Sequence, residues 1–434
     1  MSGPSVGFAS MTHLGLVSAS ATAARGFPTI AFDGDAGLID RLEKGDLPVL
    51  EPGLAELVQS SRGRLCFASD VGALGACDIV YVSLDVATDA SGTSELSGVR
   101  NLIDAVVPVL RKDAILVVLS QVPPGFTRGI VGHPPEQIYY QVETLVFGRA
   151  VERASAPERF IVGCADPARP LDPRYRALLE SFSCPILPMR YESAELGKIS
   201  INICLAASIG VANTLAELCE RIGADWAEIA PALKLDKRIG RDSYLTPGLG
   251  IAGGNLERDL ATVIGLAEAH RTDAALARAC LSNSRHRREW AVRTIADVLG
   301  ERRDATIAVW GLAYKENTRS VKNSPALATI ARMSDTRLRV HDPIVPVAEA
   351  AHRRAEGFPD PLQAAEGADA LMILTPWPQY RAIPAAMISA RLAGRTVVDP
   401  FAVLDGAAAS AAGLAWHTLG RGSALPGDGA CSST

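Results

Sequence analysis

Short apolar runs alternate with amphipathic segments in two separate parts of this 434-residue chain, and this alternation restricts the possible folds more than any other feature. Strand, helix and strand in that order and at that spacing predict parallel sheets with right-handed crossover connections. The runs of the first part are PSVGFAS, PTIAFD, DIVYVSL, AILVVLS and RFIVGC, and those of the second part are TIAVWGLAY, RLRVHDP, DALMILTP and RTVVDP.

A long apolar segment separates the two α/β parts. From Tyr191 to Gly223 the chain contains neither proline nor paired glycines, which predicts one long and mostly buried helix. Further helices are expected up to Leu299. We therefore expect an α/β domain (1–190), a central helical domain (191–299), a second and smaller α/β domain (300–419) and a polar, disordered tail (420–434).

Composition and charge argue against several classes of protein. The 43 basic and 48 acidic residues give a formal net charge of −5 without a basic block, so no nucleic-acid partner is expected. The N-terminus does not resemble a signal peptide, and no uninterrupted apolar run reaches the roughly 18 residues of a membrane span. The eight cysteines are scattered without CxxC pairs, which favours buried free thiols over disulfides or a metal site. We expect a cytoplasmic protein.

The first strand and its turn have the arrangement of a dinucleotide-binding site. Strand VGFAS leads through MTHLGL into a helix of small residues, and the next strand ends in Asp33. That carboxylate would accept hydrogen bonds from the adenosine ribose of NAD and would repel a 2′-phosphate. Ser10 and Thr12 stand where the first two glycines of G-x-G-x-x-G belong, so the turn is either a cofactor loop or an ordinary α/β turn. As a cofactor loop it would use Ser10, Thr12, His13, Leu14 and Gly15 together with Asp33.

Several further segments resemble one family, the UDP-glucose/GDP-mannose dehydrogenases. LEPGLAELV is similar to the EPGL segment of that family, SQVPPGFT to STVPPGT, and AELGKISIN to AE-x-x-K-x-x-x-N. DKRIG followed by YLTPGLGIAGGNLERD resembles DxRIG and FLxPGxGFGGxCxxKD, and GLAYKENTRSVKNSPA resembles GLAYKxxTxDxRxSPA. The segments at 143–163 and 368–380 are similar to two more family stretches, so the resemblance extends to about Asp405. It implies two Rossmann-like parallel-sheet domains joined by a helical domain, whose long helix forms a homodimer interface.

The resemblance also implies a reaction. Members of this family oxidise the C6 alcohol of a nucleotide sugar to a carboxylate with two NAD, through a cysteine-bound thioester. Lys198 and Asn202 would stabilise the developing oxyanion, Asp259 would hold a water used in proton transfer, and Glu143 would act in hydrolysis. Lys198 and Asn202 are four residues apart and would share one helix face, as an alkoxide site requires; a paired Lys and Asn inside a buried helix is the structural alternative.

Other positions are assigned by the same resemblance. Ser120 and Lys322 would contact the cofactor, and Lys315 of GLAYK would reach the substrate. The substrate loop would comprise Arg238, Tyr244, Leu245, Gly248, Gly250 and Gly253, where backbone N–H groups and a guanidinium hold a diphosphate, although glycine-rich segments also form plain turns.

Three departures from the family pattern fall among the functional positions. Asn255 stands at the position of the nucleophilic cysteine, and a carboxamide cannot form a thioester. Gln121 replaces the threonine of the STVP turn, and Lys322 replaces an arginine. The resemblance with these departures predicts an NAD-dependent oxidoreductase that acts on a nucleotide sugar by a single hydride transfer. The two alternatives are a redox-neutral epimerase or lyase with retained NAD, and a non-catalytic relative that binds a nucleotide sugar.

Overall fold

The structure is a computed structural model that describes residues 3–87, 94–252, 255–300, 302 and 305–422. The chain forms two compact units, a first unit of residues 1–201 and a second unit of residues 202–434. Each unit contains one sheet with helices packed against it, so the two α/β parts that the sequence predicts are confirmed.

The sheet of the first unit has eight strands in the order β3-β2-β1-β4-β5-β6-β7-β8. All its pairs are parallel except β6 with β7, which run antiparallel through Tyr140 and Gly163. The strands are β1 (Val6–Ala9), β2 (Thr29–Phe32), β3 (Leu65–Ala68), β4 (Ile79–Val82), β5 (Ile115–Val118), β6 (Ile138–Gln141), β7 (Phe160–Cys164) and β8 (Ile186–Arg190).

Helices connect these strands and cover both faces of the sheet. The strand order reverses between β1 and β4, and in open α/β sheets a ligand binds at the carboxyl ends of the strands beside such a reversal. The helices are α1 (His13–Ala24), α2 (Ala36–Glu43), α3 (Leu54–Ser61), α4 (Ser97–Val106), α5 (Ala150–Ser155), α6 (Pro173–Glu180) and α7 (Tyr191–Ile222), the last of which continues into the second unit.

The second unit combines four helices with a six-stranded sheet. The helices α8 (Trp226–Leu235), α9 (Asn255–His270), α10 (Ala275–Arg288) and α11 (Trp290–Leu299) precede the sheet, whose strand order is β11-β10-β9-β12-β13-β14 with every pair parallel. Its elements are β9 (Thr306–Trp310), α12 (Pro325–Ala331), β10 (Arg337–His341), β11 (Ala355–Gly357), α13 (Pro361–Ala365), β12 (Ala370–Ile373), α14 (Pro378–Arg381), α15 (Ala385–Arg391), β13 (Thr396–Val398), α16 (Gly406–Ala411) and β14 (Ala415–His417).

Helix α7 begins at the predicted residue and ends one residue before the predicted end, but the prediction that it is mostly buried is wrong. Its second half leaves an apolar stripe exposed, with Val211 51%, Leu215 39%, Leu218 51% and Ile222 58% accessible. The spacing of 4, 3 and 4 residues keeps these side chains on one face. By length and composition α7 is also apolar enough to cross a membrane, a test that the core helix of a soluble protein passes as well.

The end of the described chain is fixed to α7. The Gly420 N–H donates to Glu220 at 2.9 Å, and the Trp226 N–H donates to the Gly420 carbonyl at 2.8 Å. Gly420, where the predicted disordered tail begins, is therefore hydrogen-bonded to α7 and α8, because the partly buried carboxylate of Glu220 supplies an acceptor that the sequence does not reveal. Residues 423–434 lie outside the described part of the chain.

We expect the exposed stripe on α7 to pack against the same stripe of a second copy. Leu218→Asp, which places a charge in the middle of an apolar contact, should shift the protein from dimer to monomer at micromolar concentration, as measured by light scattering. Met387→Asp is the matched control, because Met387 is a similarly exposed apolar residue on α15. A monomeric wild-type protein would contradict this expectation.

Candidate functional site

The turn after β1 is built around two small residues. Ser10 adopts a φ of +80°, in the left-handed region where the family pattern has a glycine. A Cβ added to Gly15 would lie 1.8 Å from the Ser10 carbonyl oxygen and 2.8 Å from the Ser83 hydroxyl. Only glycine at position 15 allows α1 to approach the strands this closely, which is the role of the third glycine in a dinucleotide-binding turn.

Asp33 lies at the carboxyl end of β2 and holds the turn in place. Its Oδ2 accepts the Met11 N–H at 2.7 Å, and its Oδ1 accepts the Asp35 N–H at 3.0 Å. The Ser10 hydroxyl is a further, longer donor at 3.5 Å. A carboxylate has about four acceptor positions, so Asp33 retains capacity for ribose hydroxyls.

The N-terminus of α1 is paired with an acidic residue that the sequence did not single out. The Leu14 N–H donates to Oδ2 of Asp85 at 3.1 Å, and the Asp85 N–H donates to the Thr12 hydroxyl at 3.1 Å. Partial removal from water raises the pKa of the Asp85 carboxyl, while the Leu14 N–H and the nearby His13 act in the opposite direction. The sequence does contain a signal for this residue, because Asp85 is an acid three residues after the end of β4, where the strand order reverses.

Glu51 of the EPGL segment organises the loop that follows Glu143. Its buried carboxylate accepts the Gly148 N–H at 3.1 Å and the Ala150 N–H at 2.7 Å. It also pairs with Nε2 of His13 at 3.0 Å, and the His13 ring stacks on Phe147 with centroids 4.2 Å apart. His13 therefore joins the start of α1 to this loop.

The turn SQVPPGFT is held by Glu195 at the start of α7. This fully buried carboxylate accepts the Gly125 N–H at 2.6 Å and the Thr127 N–H at 2.8 Å. Burial raises the pKa of Glu195, and the two N–H groups lower it. Ser120 is fully buried and donates to the Leu84 carbonyl at 2.7 Å, while Gln121 is 9% exposed. Ser120 thus ties the turn to the end of β4.

Lys198 and Glu143 form an ion pair within the first unit. The Lys198 ammonium lies 3.1 Å from Oε2 of Glu143, and the two side chains are only 9% and 15% exposed. Glu143 also accepts the Leu145 N–H, which fixes its position. The Lys198 ammonium thus lies beside a carboxylate, as the structural alternative requires, and its catalytic role stays a prediction.

Asn202 and Asp259 form a second buried pair, within the second unit. The Asn202 amide donates to Oδ2 of Asp259 at 2.5 Å, and Arg258 lies 3.3 Å from the other carboxylate oxygen. Asp259 and Arg258 are 1% and 4% exposed. Asn255, by contrast, is exposed at the first position of α9. Asp259 is thus held between a neighbouring guanidinium and an amide donor.

The glycine-rich segment is fixed by α7 and α10. The Gly248 N–H donates to Asn213 at 2.8 Å, and the Ile251 N–H donates to the Ser284 hydroxyl at 2.9 Å. Gly250 has a φ of +76°, and a Cβ there would lie 2.4 Å from the Ser284 carbonyl oxygen. The packing therefore requires glycine at position 250; Gly253 lies outside the described residues.

The three residues before this segment have different environments. Arg238 is 89% exposed and pairs with Asp236 at 2.6 Å, which raises the pKa of Arg238 and lowers that of Asp236. Tyr244 is 47% exposed, whereas Leu245 is buried and its carbonyl accepts the Trp226 indole N–H at 2.8 Å. Arg238 and Tyr244 are available to a ligand, and Leu245 is structural.

The second sheet repeats the turn geometry of the first. Asp342, at the end of β10, accepts the Leu312 N–H at 2.7 Å and the Ala313 N–H at 3.2 Å. Lys315 is half-buried with its ammonium 5.6 Å from the centroid of the Tyr314 ring, and Lys322 is exposed before α12. Asp342 fixes the GLAYK turn, and the sequence analysis had not identified it.

No described cysteine lies in the segment of Asn255. Cys219 and Cys280 are 3% and 6% exposed, and burial raises the pKa of both thiols. A thiol with a raised pKa is a poor nucleophile at neutral pH. Cys66 and Cys204 are exposed, and no disulfide joins any of the seven described cysteines.

These features define a class of protein. A parallel sheet with a glycine-dependent turn at its strand reversal, an acid after β2 and a second sheet of the same design are the architecture of a nucleotide-dependent dehydrogenase. Family models match residues 6–181 (NAD binding domain), 192–285 (central domain) and 308–406 (UDP binding domain) of the UDP-glucose/GDP-mannose dehydrogenase family.

Individual proteins agree with the family models. The chain is 30% identical to a UDP-glucose 6-dehydrogenase of Bacillus subtilis over 94% of this chain and 91% of that protein. It is 31% identical to one of Rhizobium meliloti over 89% and 92%. A UDP-glucose dehydrogenase from Pyrobaculum islandicum has a similar structure, with a TM-score of 0.82, 28% identity and coverage of 94% and 98%. The chain belongs to the UDP-glucose/GDP-mannose dehydrogenase family.

NAD is the cofactor of this family domain, and the residues of the first unit fit it. Gly15 gives α1 the close approach that a pyrophosphate site requires, and Asp33 has acceptor capacity for the ribose. The carboxylate of Asp33 is expected to disfavour a 2′-phosphate and hence to favour NAD over NADP. Asp85, whose carboxylate accepts an N–H of the first turn of α1, stands against an anion there.

Gly15→Ala should unfold or distort the turn, because its Cβ would overlap the Ser10 carbonyl oxygen. We expect the free energy of unfolding to fall by more than about 2 kcal/mol and NADH binding to be lost. Gly63→Ala is the control, since a Cβ at this exposed glycine meets no atom within 4 Å; it should change stability by less than about 0.5 kcal/mol. Denaturant titration and NADH fluorescence measure both effects, and equal stability of the two variants would refute the close approach.

Proposed function

We propose that this protein is an NAD-dependent oxidoreductase that acts on a nucleotide sugar by one hydride transfer, between an alcohol and an aldehyde or ketone, without a covalent thioester. The proposal is supported by two features of α7 and α9 that occur together. The buried pairs of Lys198 with Glu143 and of Asn202 with Asp259 are retained, while the motif position of the nucleophile is Asn255. Relatives named as UDP-glucose 6-dehydrogenases support a nucleotide sugar as the substrate.

The absence of a thiol at position 255 limits the reaction. A free aldehyde has no second hydride to donate until a nucleophile adds to its carbonyl, and an amide nitrogen is far too weak a nucleophile at neutral pH. The buried Cys219 and Cys280, with raised pKa values, do not supply one either. The remaining route to a second oxidation is a water activated near Asp259, which would form a gem-diol.

NAD would supply the hydride acceptor when bound. The residues of this chain would stabilise the charge on the substrate and accept its proton. We propose that the Lys198 ammonium and the Asn202 amide stabilise negative charge on the substrate oxygen. Asp259 is buried and its carboxyl group is held by two neighbours, so it is suited to accept the alcohol proton through a bound water. Arg258 and Asn202 hold the Asp259 carboxylate in one orientation. Arg238, Tyr244 and the segment around Gly248 and Gly250 are proposed to bind the nucleotide diphosphate, with Lys315 at the sugar.

A non-catalytic nucleotide-sugar-binding relative is the second candidate, and one observation favours it. Backbone N–H groups in the cofactor turn already donate to the carboxylates of Asp33 and Asp85. The preserved ion pair and amide pair argue against this candidate, because binding alone does not require a buried lysine beside a carboxylate.

We expect the stoichiometry of NADH to decide the reaction. Turnover with a nucleotide sugar should produce about one NADH per substrate and an aldehyde, ketone or hydrate, since no thiolate is placed for a second oxidation. Product analysis by mass spectrometry together with NADH absorbance measures this. Two NADH per substrate with a carboxylate product would overturn the single-transfer proposal. Asn255→Cys then tests whether the position is that of the nucleophile, by gain of a second NADH.

Lys198→Ala should lower turnover by about 10²-fold or more if the ammonium stabilises the transition state. Because this change leaves Glu143 buried without its cation, Lys198→Arg is the matched variant that keeps the ion pair and the fold. Measurable turnover by the folded Lys198→Ala protein equal to that of wild type would place the reaction at another site, whereas a folded wild-type protein that binds nucleotide sugars without turnover would support the non-catalytic candidate.

A further inference from the structure

The structure places a carboxylate of the protein where a dinucleotide requires a phosphate. The first N–H groups of a helix have no partner within the helix, and in dinucleotide-binding units they receive the pyrophosphate. In this chain the Leu14 N–H, in the first turn of α1, donates to Oδ2 of Asp85 at 3.1 Å. The N-terminus of α1 therefore already has an anionic partner from the loop after β4.

Asp85 is attached to the turn at two points. Its own N–H donates to the Thr12 hydroxyl at 3.1 Å, and that hydroxyl donates to the Ser83 carbonyl at 3.3 Å. Thr12 occupies the second glycine position of the turn, so its side chain connects the α1 start to the β4 loop. The threonine that stands at the glycine position therefore helps to hold Asp85 at the start of α1 through this hydrogen bond.

The charged groups around Asp85 act on its carboxyl in opposite directions. The charged groups whose fields reach its carboxyl are His13, which favours the carboxylate, and Glu143, which opposes it. His13 is itself paired with the Glu51 carboxylate at 3.0 Å. Because His13 is already paired with Glu51 and no lysine or arginine belongs to this set, a bound dinucleotide would face Asp85 without such a cation from it.

We propose that Asp85 is a determinant of cofactor affinity, whose carboxylate occupies the phosphate position at the N-terminus of α1 and must move aside before NAD binds. Asp85 is exposed to solvent, so a rotation of its side chain is sufficient to release the Leu14 N–H. The pyrophosphate of NAD then takes the place of the Asp85 carboxylate at the N-terminus of α1. Because one anion replaces another, this helix terminus adds little to the binding free energy of NAD. This inference rests on the assignment of NAD to the first unit.

The test compares NADH binding by wild type, Asp85→Asn and Asp85→Ser, measured by fluorescence titration at low salt. The asparagine keeps an oxygen that can accept the Leu14 N–H, and serine is small and polar in a loop position that is exposed to solvent, so both variants should fold. Removing the carboxylate should lower the dissociation constant of NADH by about 5- to 20-fold. Raising the salt from about 50 mM to about 500 mM should narrow the difference, because exposed charges are screened.

Two controls separate charge repulsion from structural damage. Asp104→Asn removes the same charge from an exposed position on α4 and should change the NADH dissociation constant by less than about twofold. Adenosine, which lacks the phosphates, should bind Asp85→Asn and wild type with equal affinity. Equal NADH affinity of wild type and Asp85→Asn, or a parallel change for adenosine, would overturn the proposal while leaving the NAD assignment intact. If the folded variants and wild type all fail to bind NADH, the NAD assignment itself is wrong.

Discussion

Both sheets depend on one interaction, in which a backbone N–H of the loop after the first strand donates a hydrogen bond to an acidic residue after the second strand. In the first unit Asp33 accepts the Met11 N–H at 2.7 Å, and in the second unit Asp342 accepts the Leu312 N–H at the same distance. Each carboxylate satisfies backbone donors that the sheet and the helix leave unpaired. Because both loops lie at the carboxyl ends of the strands, each acid fixes the surface at which its unit binds a ligand. The two sheets therefore share both their strand order and the position of the acid that fixes the loop after the first strand.

Much of the fold follows from the sequence because buried strands and long helices leave strong patterns. The prediction of α7 differs from the structure by one residue, since a helix of 32 residues with continuous apolar character has no competing interpretation. The missed strands β3, β8, β11 and β14 are sheet edges. An edge strand buries fewer side chains, and β8 contains Pro188, which interrupts its apolar run. Strand β3 is apolar throughout, but only its first residue is fully buried. The fifth missed strand, β6, is internal but short and aromatic.

Some residues of the candidate site could also be predicted from the sequence, and others could not. Motif order identified Lys198, Asn202, Asp259 and Glu143, because each lies in a segment with a distinctive pattern. Contacts between residues that are far apart in the chain could not be predicted from the sequence. Glu195 and Thr127 are 68 residues apart, and Leu14 and Asp85 are 71 residues apart, so only the fold brings each pair together. The expected burial of α7 failed for a related reason: an apolar face indicates contact, but it does not say whether the contact lies within the chain.

The pairing of charges explains how Glu143 can persist without the reaction in which the family resemblance places it. A buried ammonium is costly unless a counter-charge lies beside it, and Glu143 supplies that charge to Lys198 at 3.1 Å. Thioester hydrolysis is therefore not needed to account for this glutamate. Asp259 has the same relation to Arg258, with Asn202 donating to its second oxygen. Both pairs hold charged groups ready in the free protein, and such preorganised charges suit a step that moves one proton and one hydride. On the proposed reaction, Lys198, Glu143, Asn202 and Asp259 retain functions that do not require a thiol at position 255.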